Sequence, residues 1–284
     1  ESMAASKSNF HVRSNSLPSK SHPVVEECND LLIRLGKASD ATSSSIAQKL
    51  GGLEDLHLCV EKLLQLPLTQ QAFAQGRQEK WVDELVDGSL RLLDVCSTAK
   101  DAVLHTKECA REIQSIMRRK VSPESEIKKY SASRKVVKKA IQKALASLKG
   151  VESKTSFSPS TKNSEITALV SVLREVEAVT LSTFESLLCF VSGPKTHSKI
   201  GGWSLVSKLM QSKRVGCDIE VVNEFAKVDA ALQCLMSNET SKTEQAMLEM
   251  QNLEMCVQDF EERLECLFRR LIKTRVSLLN ILNN

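Results

Sequence analysis

Residues 243 to 282 carry a hydrophobic seam that a folded chain has few ways to bury. Ala246, Met250, Leu253, Val257, Phe260, Leu264, Leu267, Leu271, Thr274, Leu278 and Ile281 follow one another at alternating spacings of four and three, and all but Thr274 are apolar. That period keeps one stripe of a long helix turned toward neighbouring helices, as in a bundle or a coiled coil. The polar positions are sorted as well. Glu244, Glu249, Glu254, Asp259, Glu261, Glu262 and Glu265 precede Arg269, Arg270, Lys273 and Arg275, with Arg263 the one base among the acids. Acid toward the N-terminus and base toward the C-terminus complement the helix macrodipole.

The rest of the chain supplies partners for that helix. Hydrophobic residues make up 42% of the sequence and aromatic residues 4%, so the core is built from Leu, Val, Ile and Ala, which suits packed helices better than a sheet. No convincing run of alternating apolar and polar residues occurs. Val25, Cys28, Leu32 and Leu35 predict a helix from Pro23 that ends near Gly36 to Ala38. After a polar connection at 39–45, Leu53, Leu56, Val60 and Leu63 form a second face that Pro67 stops, and a short helix over 70–75 closes at Gly76.

Residues 78 to 120 read as a long helix through Trp81, Leu85, Gly88, Leu92, Cys96, Ala99, Val103, Thr106, Ala110, Ile113 and Met117. Gly88 on this inner row costs about 1 kcal/mol of helix propensity relative to Ala, which a close helix crossing or a local kink would explain. Val82, Val86, Leu93 and Val95 widen the apolar surface, so this helix meets more than one neighbour.

Ser122-Pro123 opens a helix to Lys149 that Gly150 ends, with Tyr130, Val137, Ile141, Ala144 and Leu148 as its apolar row. Ile166 to Phe190 follows and Gly193-Pro194 ends it. Trp203, Val206 and Met210 start a short helix, and Val221, Phe225, Val228, Leu232 and Leu235 make another. Ser241 to Glu244 has capping-box form. The expected fold is therefore all-α, an elongated multi-helix bundle with a long C-terminal helix. Residues 1–22 form a disordered, basic, Ser-rich tail, and 23–284 a single bundle domain with a flexible linker at 150–163. With several amphipathic partners in the same chain, the C-terminal seam is expected to pack internally, so a monomer is favoured.

Charge is unevenly spread. Residues 118 to 149 hold eleven bases against Glu124 and Glu126, a net of +9, so the remainder of a chain of net charge +4 stands at −5. Lys128, Lys129, Arg134, Lys135, Lys138, Lys139 and Lys143 are expected on the face opposite the apolar row. This basic face is a solvated surface, a site for an acidic protein partner, or a site for an anionic membrane. Nucleic acid is disfavoured, because single-strand binding wants stacking aromatics and Tyr130 is the one candidate nearby.

No CxxC occurs among nine cysteines and the five histidines are scattered, so buried reduced thiols are expected and neither a metal nor a cofactor is. GxSxG, a phosphate-binding GK[ST] loop, a dinucleotide Gly-rich turn and paired carboxylates in an apolar context are all missing. Glu61, Asp83, Glu84, Glu175 and Glu177 read as ordinary polar-face residues. No apolar run approaches the roughly 20 residues needed to cross a bilayer. Within the tail, Arg13-Ser14-Asn15-Ser16-Leu17-Pro18 has the form R-S-x-S-x-P. Phosphorylation of Ser16 would add close to two negative charges and three acceptor oxygens for an Arg-lined reader of the 14-3-3 type. The acid-free, Ser-rich start also has something of a plastid transit segment, the alternative to an expected cytoplasmic location.

The strings HVRSNSLPSKSHP, LEDLHLCVEKLLQLPLTQQAF, KWVDELVDGSLRLLDVCSTAKD, VLREVEAVTLSTFESLLCFVS and LEMCVQDFEERLECLFRRLIKTRVSLLNILN resemble a flowering-plant family of uncharacterised proteins related to BYPASS. The resemblance spans 11 to 283 and includes the R-S-x-S-x-P form. It implies an all-helical plant protein with a family-level association with root and shoot development, and it assigns no chemistry. The function expected is that of a non-enzymatic regulatory or scaffold protein acting through protein–protein interaction; the alternative is a peripheral membrane-binding protein that uses the basic helix.

Overall fold

The structure is a computed structural model, and it describes residues 22–38, 42–119, 122–152, 164–193, 223–236 and 243–283. Eight helices account for nearly all of these: α1 (Pro23–Lys37), α2 (Ser43–Leu64), α3 (Pro67–Gln75), α4 (Lys80–Arg118), α5 (Glu124–Glu152), α6 (Ser164–Ser192), α7 (Glu224–Met236) and α8 (Thr243–Asn283). No strand occurs among the described residues, so the all-α expectation holds.

Local signals explain most boundaries. Pro23 sits in the first turn of α1, where its missing N–H costs nothing, and the His22 ring accepts from the Val24 N–H. Thr42 and Ser45 form a reciprocal capping box at the start of α2, so the polar connection is shorter than expected and its last serines are helical. α2 stops just ahead of Pro67, where Leu66 is extended, and Pro67 itself opens α3. Gly193 takes φ +74 and stops α6, whereas Gly150 lies inside α5, which runs on to Glu152. A glycine ends a helix when the chain turns into the left-handed region, and its propensity cost of about 1 kcal/mol is not enough alone. The expected linker thus begins later than 150, and 153–163 lies outside the described residues, as do the expected helix at Trp203 to Met210 and residues 241–242 of the capping box.

α8 is the staff of the bundle, lying against α2, α4 and α7 and touching α3. Ala246, Met250, Leu253, Val257, Phe260, Leu264, Leu267, Leu271 and Leu278 of its seam are buried, while Thr274 and Ile281 are half-buried; Ile272, beside the seam, is exposed. Around it, α4 also packs on α5 and α6, as its broadened apolar surface requires, and α6 reaches α1 and α2. Phe190 of α6 meets Phe225 of α7 and Phe260 of α8 edge-on, with ring centroids 5.9 and 6.0 Å apart.

The charge gradient of α8 has a second use besides the macrodipole. Its acidic half faces the bases of α4: Glu254 accepts from Arg111 at 2.7 Å, Glu261 from Lys107, and Glu265 from Lys100 at 2.6 Å. Further along, Arg275 donates to the Val86 carbonyl at 2.6 Å and to Ser89 at 2.7 Å. As numbers rise on one helix they fall on the other, so the ladder sets an antiparallel register. Arg270 meanwhile ties α8 to Glu61 of α2 at 3.3 Å.

Candidate functional site

One cavity at the meeting of α2, α4, α6 and α8, about 60 Å³, is lined by Leu85, Leu92, Leu173, Val176 and Leu278, with His57 and Glu177 as polar wall. Ligand pockets run to about 300–1,000 Å³, so this one is a packing gap on that scale. Glu177 is there because Gly88 leaves room for it. A Cβ on Gly88 would stand 2.5 Å from the Glu177 carboxylate, which is held by Arg91 at 2.7 Å. The glycine on the inner row of α4 therefore marks a close approach to α6.

His57 is fully shielded, and its Nε2 lies 3.1 Å from Thr180 Oγ1. The Thr180 hydroxyl spends its hydrogen on the Val176 carbonyl at 2.7 Å, so the imidazole donates through Nε2 and its Nδ1 has no partner in the described structure. Burial pushes the His57 imidazole down to about 4, so it is neutral at physiological pH. A neutral histidine hydrogen-bonded in a helix core is a structural residue. No group of three or more potential metal ligands occurs among the described residues, and none of their helices is long and apolar enough to cross a membrane.

The surface is more informative, because the seven predicted bases of α5 separate into three groups. Lys128 and Lys129 are neutralised within the first turns by Glu124 at 2.7 Å and Glu126 at 2.8 Å. Arg134 is not on the outer face at all. It is buried, with its guanidinium on Asp229 of α7 (Nε 3.2 Å), on the Val191 carbonyl of α6 (Nη2 2.9 Å) and 5.4 Å from the Phe225 ring centroid. Lys138 reaches the same Asp229 at 3.3 Å, and Tyr130 donates to it at 3.0 Å. Desolvation and the neighbouring Asp229 charge raise the Tyr130 phenol, so it stays a neutral donor. These contacts form a clamp joining α5, α6 and α7. The sequence does carry a signal for it: the apolar row jumps from Tyr130 to Val137, and the position that completes its four–three spacing is Arg134.

What remains exposed and without an ion-pair partner among the described residues is Lys135, Lys139 and Lys143. Beside them Val136 is 65% exposed, a large fraction for a branched apolar side chain. Val136 forms one lip of an open groove of about 450 Å³ between α4 and α5. Leu104, 44% exposed, is the other lip, with Ala102, Val137 and Ala140 between. Its α4 bank carries Asp101 and Glu108; Lys135, Lys139 and Lys143 are exposed on α5, the helix of the other bank, and do not line the groove itself. At one end His105 Nε2 meets Ser133 Oγ at 2.5 Å, fixing the spacing of the two helices. The groove is thus apolar along its floor and lips and acidic on its α4 bank, with the exposed lysines on the helix that forms its other bank.

Some of the other carboxylates expected on solvated faces are used between helices. Glu61 binds Arg270, Glu84 binds Arg174 at 2.8 Å, and Glu177 binds Arg91, whereas Asp83 and Glu175 are exposed. Of the cysteines, Cys28, Cys59, Cys96 and Cys256 are buried, Cys109 and Cys234 half-buried, and Cys189 and Cys266 exposed, so the expectation of core thiols is met in part. Arg13, Ser14, Ser16 and Pro18 lie outside the described residues.

A family model described as Protein BPS1 matches residues 49–281, which takes in the groove, the Arg134 clamp and nearly all of α2 to α8. Neither the comparison with curated proteins nor that with solved structures found a match.

Proposed function

The chain belongs to the Protein BPS1 family, and from that premise we propose that it is a non-enzymatic regulatory scaffold of plant root and shoot development that works by binding other proteins. The observation that carries this reading is the groove between α4 and α5, where Val136 and Leu104 stand exposed over an apolar floor. Its occupant is an amphipathic helix of a partner. The apolar stripe of that helix lies in the groove, its acidic edge meets Lys139 and Lys143, and its basic edge meets Asp101 and Glu108. The segment with Ser16 is the second element: phosphorylated, it is a ligand for a 14-3-3-type reader, which makes the scaffold's assembly dependent on a kinase.

The test is to capture the tagged full chain from plant cells, with and without phosphatase, as wild type, Val136→Asp, Lys139→Glu with Lys143→Glu, and Ser16→Ala. One set of partners is lost with both groove variants, and another with phosphatase or Ser16→Ala. An empty partner set, or one unchanged in every variant, sinks the reading. A second reading, a peripheral membrane protein, draws on the unpaired Lys135, Lys139 and Lys143. The acids on the opposite bank of the groove weigh against it, since an anionic surface would repel them. Flotation with anionic vesicles at two salt concentrations decides: binding that salt weakens and Lys135→Glu with Lys139→Glu abolishes would favour the membrane.

A further inference from the structure

We propose that Cys28 of α1 and Cys59 of α2 are a redox pair, which a hydroperoxide closes into a disulfide that staples α1 to the bundle. The two sulfurs lie 2.7 Å apart across the α1–α2 contact, both side chains have no solvent exposure, and 31 positions of chain separate them. Sulfurs this close need little movement to reach the bonded spacing of about 2.05 Å. The geometry also distinguishes the two. Cys28 Sγ donates to Cys59 Sγ, and Cys59 Sγ in turn donates to the Val24 carbonyl of the first turn of α1 at 3.3 Å. The hydrogen bond from Cys28 favours a thiolate on Cys59 once the Val24 carbonyl has moved off with the opened first turn, so Cys59 is the nucleophile and Cys28 the resolving thiol.

The place in the fold gives the bond a consequence. α1 packs on α2 and α6, and it lies wholly ahead of the region that the family model matches. Its grip is a short row of Cys28, Leu31, Leu32 and Leu35, with Val24 and Val25 half-buried and the Glu27–Lys62 pair exposed at 3.3 Å. Burial raises both thiols, Cys28 further than Cys59, which keeps the closed pair reduced and slow. An oxidant therefore reaches it when the first turn of α1 opens, and the pair senses both oxidant and helix docking.

The chemistry balances with a hydroperoxide as the oxidant. The Cys59 thiolate attacks the peroxide oxygen; an S–O bond forms, the O–O bond breaks, and the leaving oxygen takes the proton released by the pair. Cys28 sulfur then attacks the sulfenic sulfur of Cys59, the S–S bond forms and the S–O bond breaks, and water departs with the second proton. Two thiols lose two electrons and two protons; the peroxide is reduced to an alcohol, or to water, plus water.

The experiment treats the reduced full chain with hydrogen peroxide, alkylates it in denaturant, and maps the cysteines by mass spectrometry without reduction. Amide exchange of α1 is followed in parallel. The expected result is a linked Cys28–Cys59 peptide pair as the main product. Exchange in α1 slows about tenfold or more, on the scale of typical disulfide stabilisation, and dithiothreitol reverses it. Cys28→Ala removes the link and the protection while leaving Cys59 to stop at the sulfenic or sulfinic acid; should that variant not fold, the map on the wild-type chain still decides. The proposal is overturned if both cysteines remain alkylated after oxidation, if Cys59 over-oxidises without linkage, if either pairs elsewhere, or if the link forms and α1 exchange does not change.

Discussion

Acid should unfold this bundle partly through one histidine. His57 is shielded, donates through Nε2 to Thr180, and has a bare Nδ1; desolvation places it at about 4 in the folded chain, against about 6.5 when unfolded. A base whose folded value is depressed gives stability that is fully present above the unfolded value and is lost as pH falls toward the folded one. The window is therefore from about pH 6.5 down to about pH 4, and the total at stake is about 3 kcal/mol at about 1.4 kcal/mol per pH unit. Between pH 7.5 and pH 5 the loss works out at about 2 kcal/mol, because the unfolded chain is almost fully protonated there and the folded chain barely so.

The assay is urea unfolding followed by far-UV circular dichroism at several pH values, for wild type and His57→Gln. Glutamine keeps a donor for Thr180 and does not titrate. Carboxylates held down by lysine and arginine, such as Glu265 beside Lys100 and Arg269, also lose stability in acid, but they do so in both proteins and cancel. Wild type should lose about 2 kcal/mol more than His57→Gln over that range. Parallel pH–stability curves would refute the reasoning, whatever the offset between them.

Other perturbations test the packing. Arg134→Ala strands Asp229 with Lys138 and Tyr130 alone and uncovers the Val191 carbonyl, at about 3 kcal/mol by equilibrium unfolding. Lys135→Ala, one residue on and exposed, should stay within about 0.5 kcal/mol. Gly76→Ala drives a Cβ to within 2.3 Å of the Trp81 ring and 3.2 Å of the Ala72 carbonyl. It should cost about 1–3 kcal/mol and shift Trp81 fluorescence. Leu264→Ala, with no exposure in wild type, should cost about 2–5 kcal/mol by urea unfolding. Leu248→Ala, at 50% exposed, should cost about 0.5 or less.

The helices were legible because their signals are local. A four–three spacing such as Leu253, Val257, Phe260, Leu264 fixes which stripe of a helix is buried without reference to any other segment. Pro23 and Gly193 act within one turn of themselves, whereas the Thr42–Ser45 capping box went unread inside a run of polar residues. Gly150 misled for a related reason: its residue type permits a helix end, but the end comes from backbone conformation, which neighbouring turns decide. The groove was not legible. Val136 is apolar at a position the buried row does not require, and only the distance between α4 and α5 shows that it forms a lip opposite Leu104 rather than a stray exposed side chain.

The same limit explains why two runs of charge that look alike in sequence turn out unlike. The acids of α8 are answered because α4 presents Lys100, Lys107 and Arg111 in the reverse order, at the spacing an antiparallel neighbour needs. The bases of α5 have no such counterpart. Glu124 and Glu126 answer two of them within the helix and Asp229 answers two more from α7. Past Lys138 no acid of the described structure is in ion-pair reach of Lys139 or Lys143. A long charge run is therefore structural to the extent that a facing helix repeats it in the opposite sign and order, and the unanswered remainder is what a partner can use. In this chain that remainder sits on α5 close to Val136, next to a groove whose α4 bank is acidic, so charge and apolar exposure select the same face of the bundle.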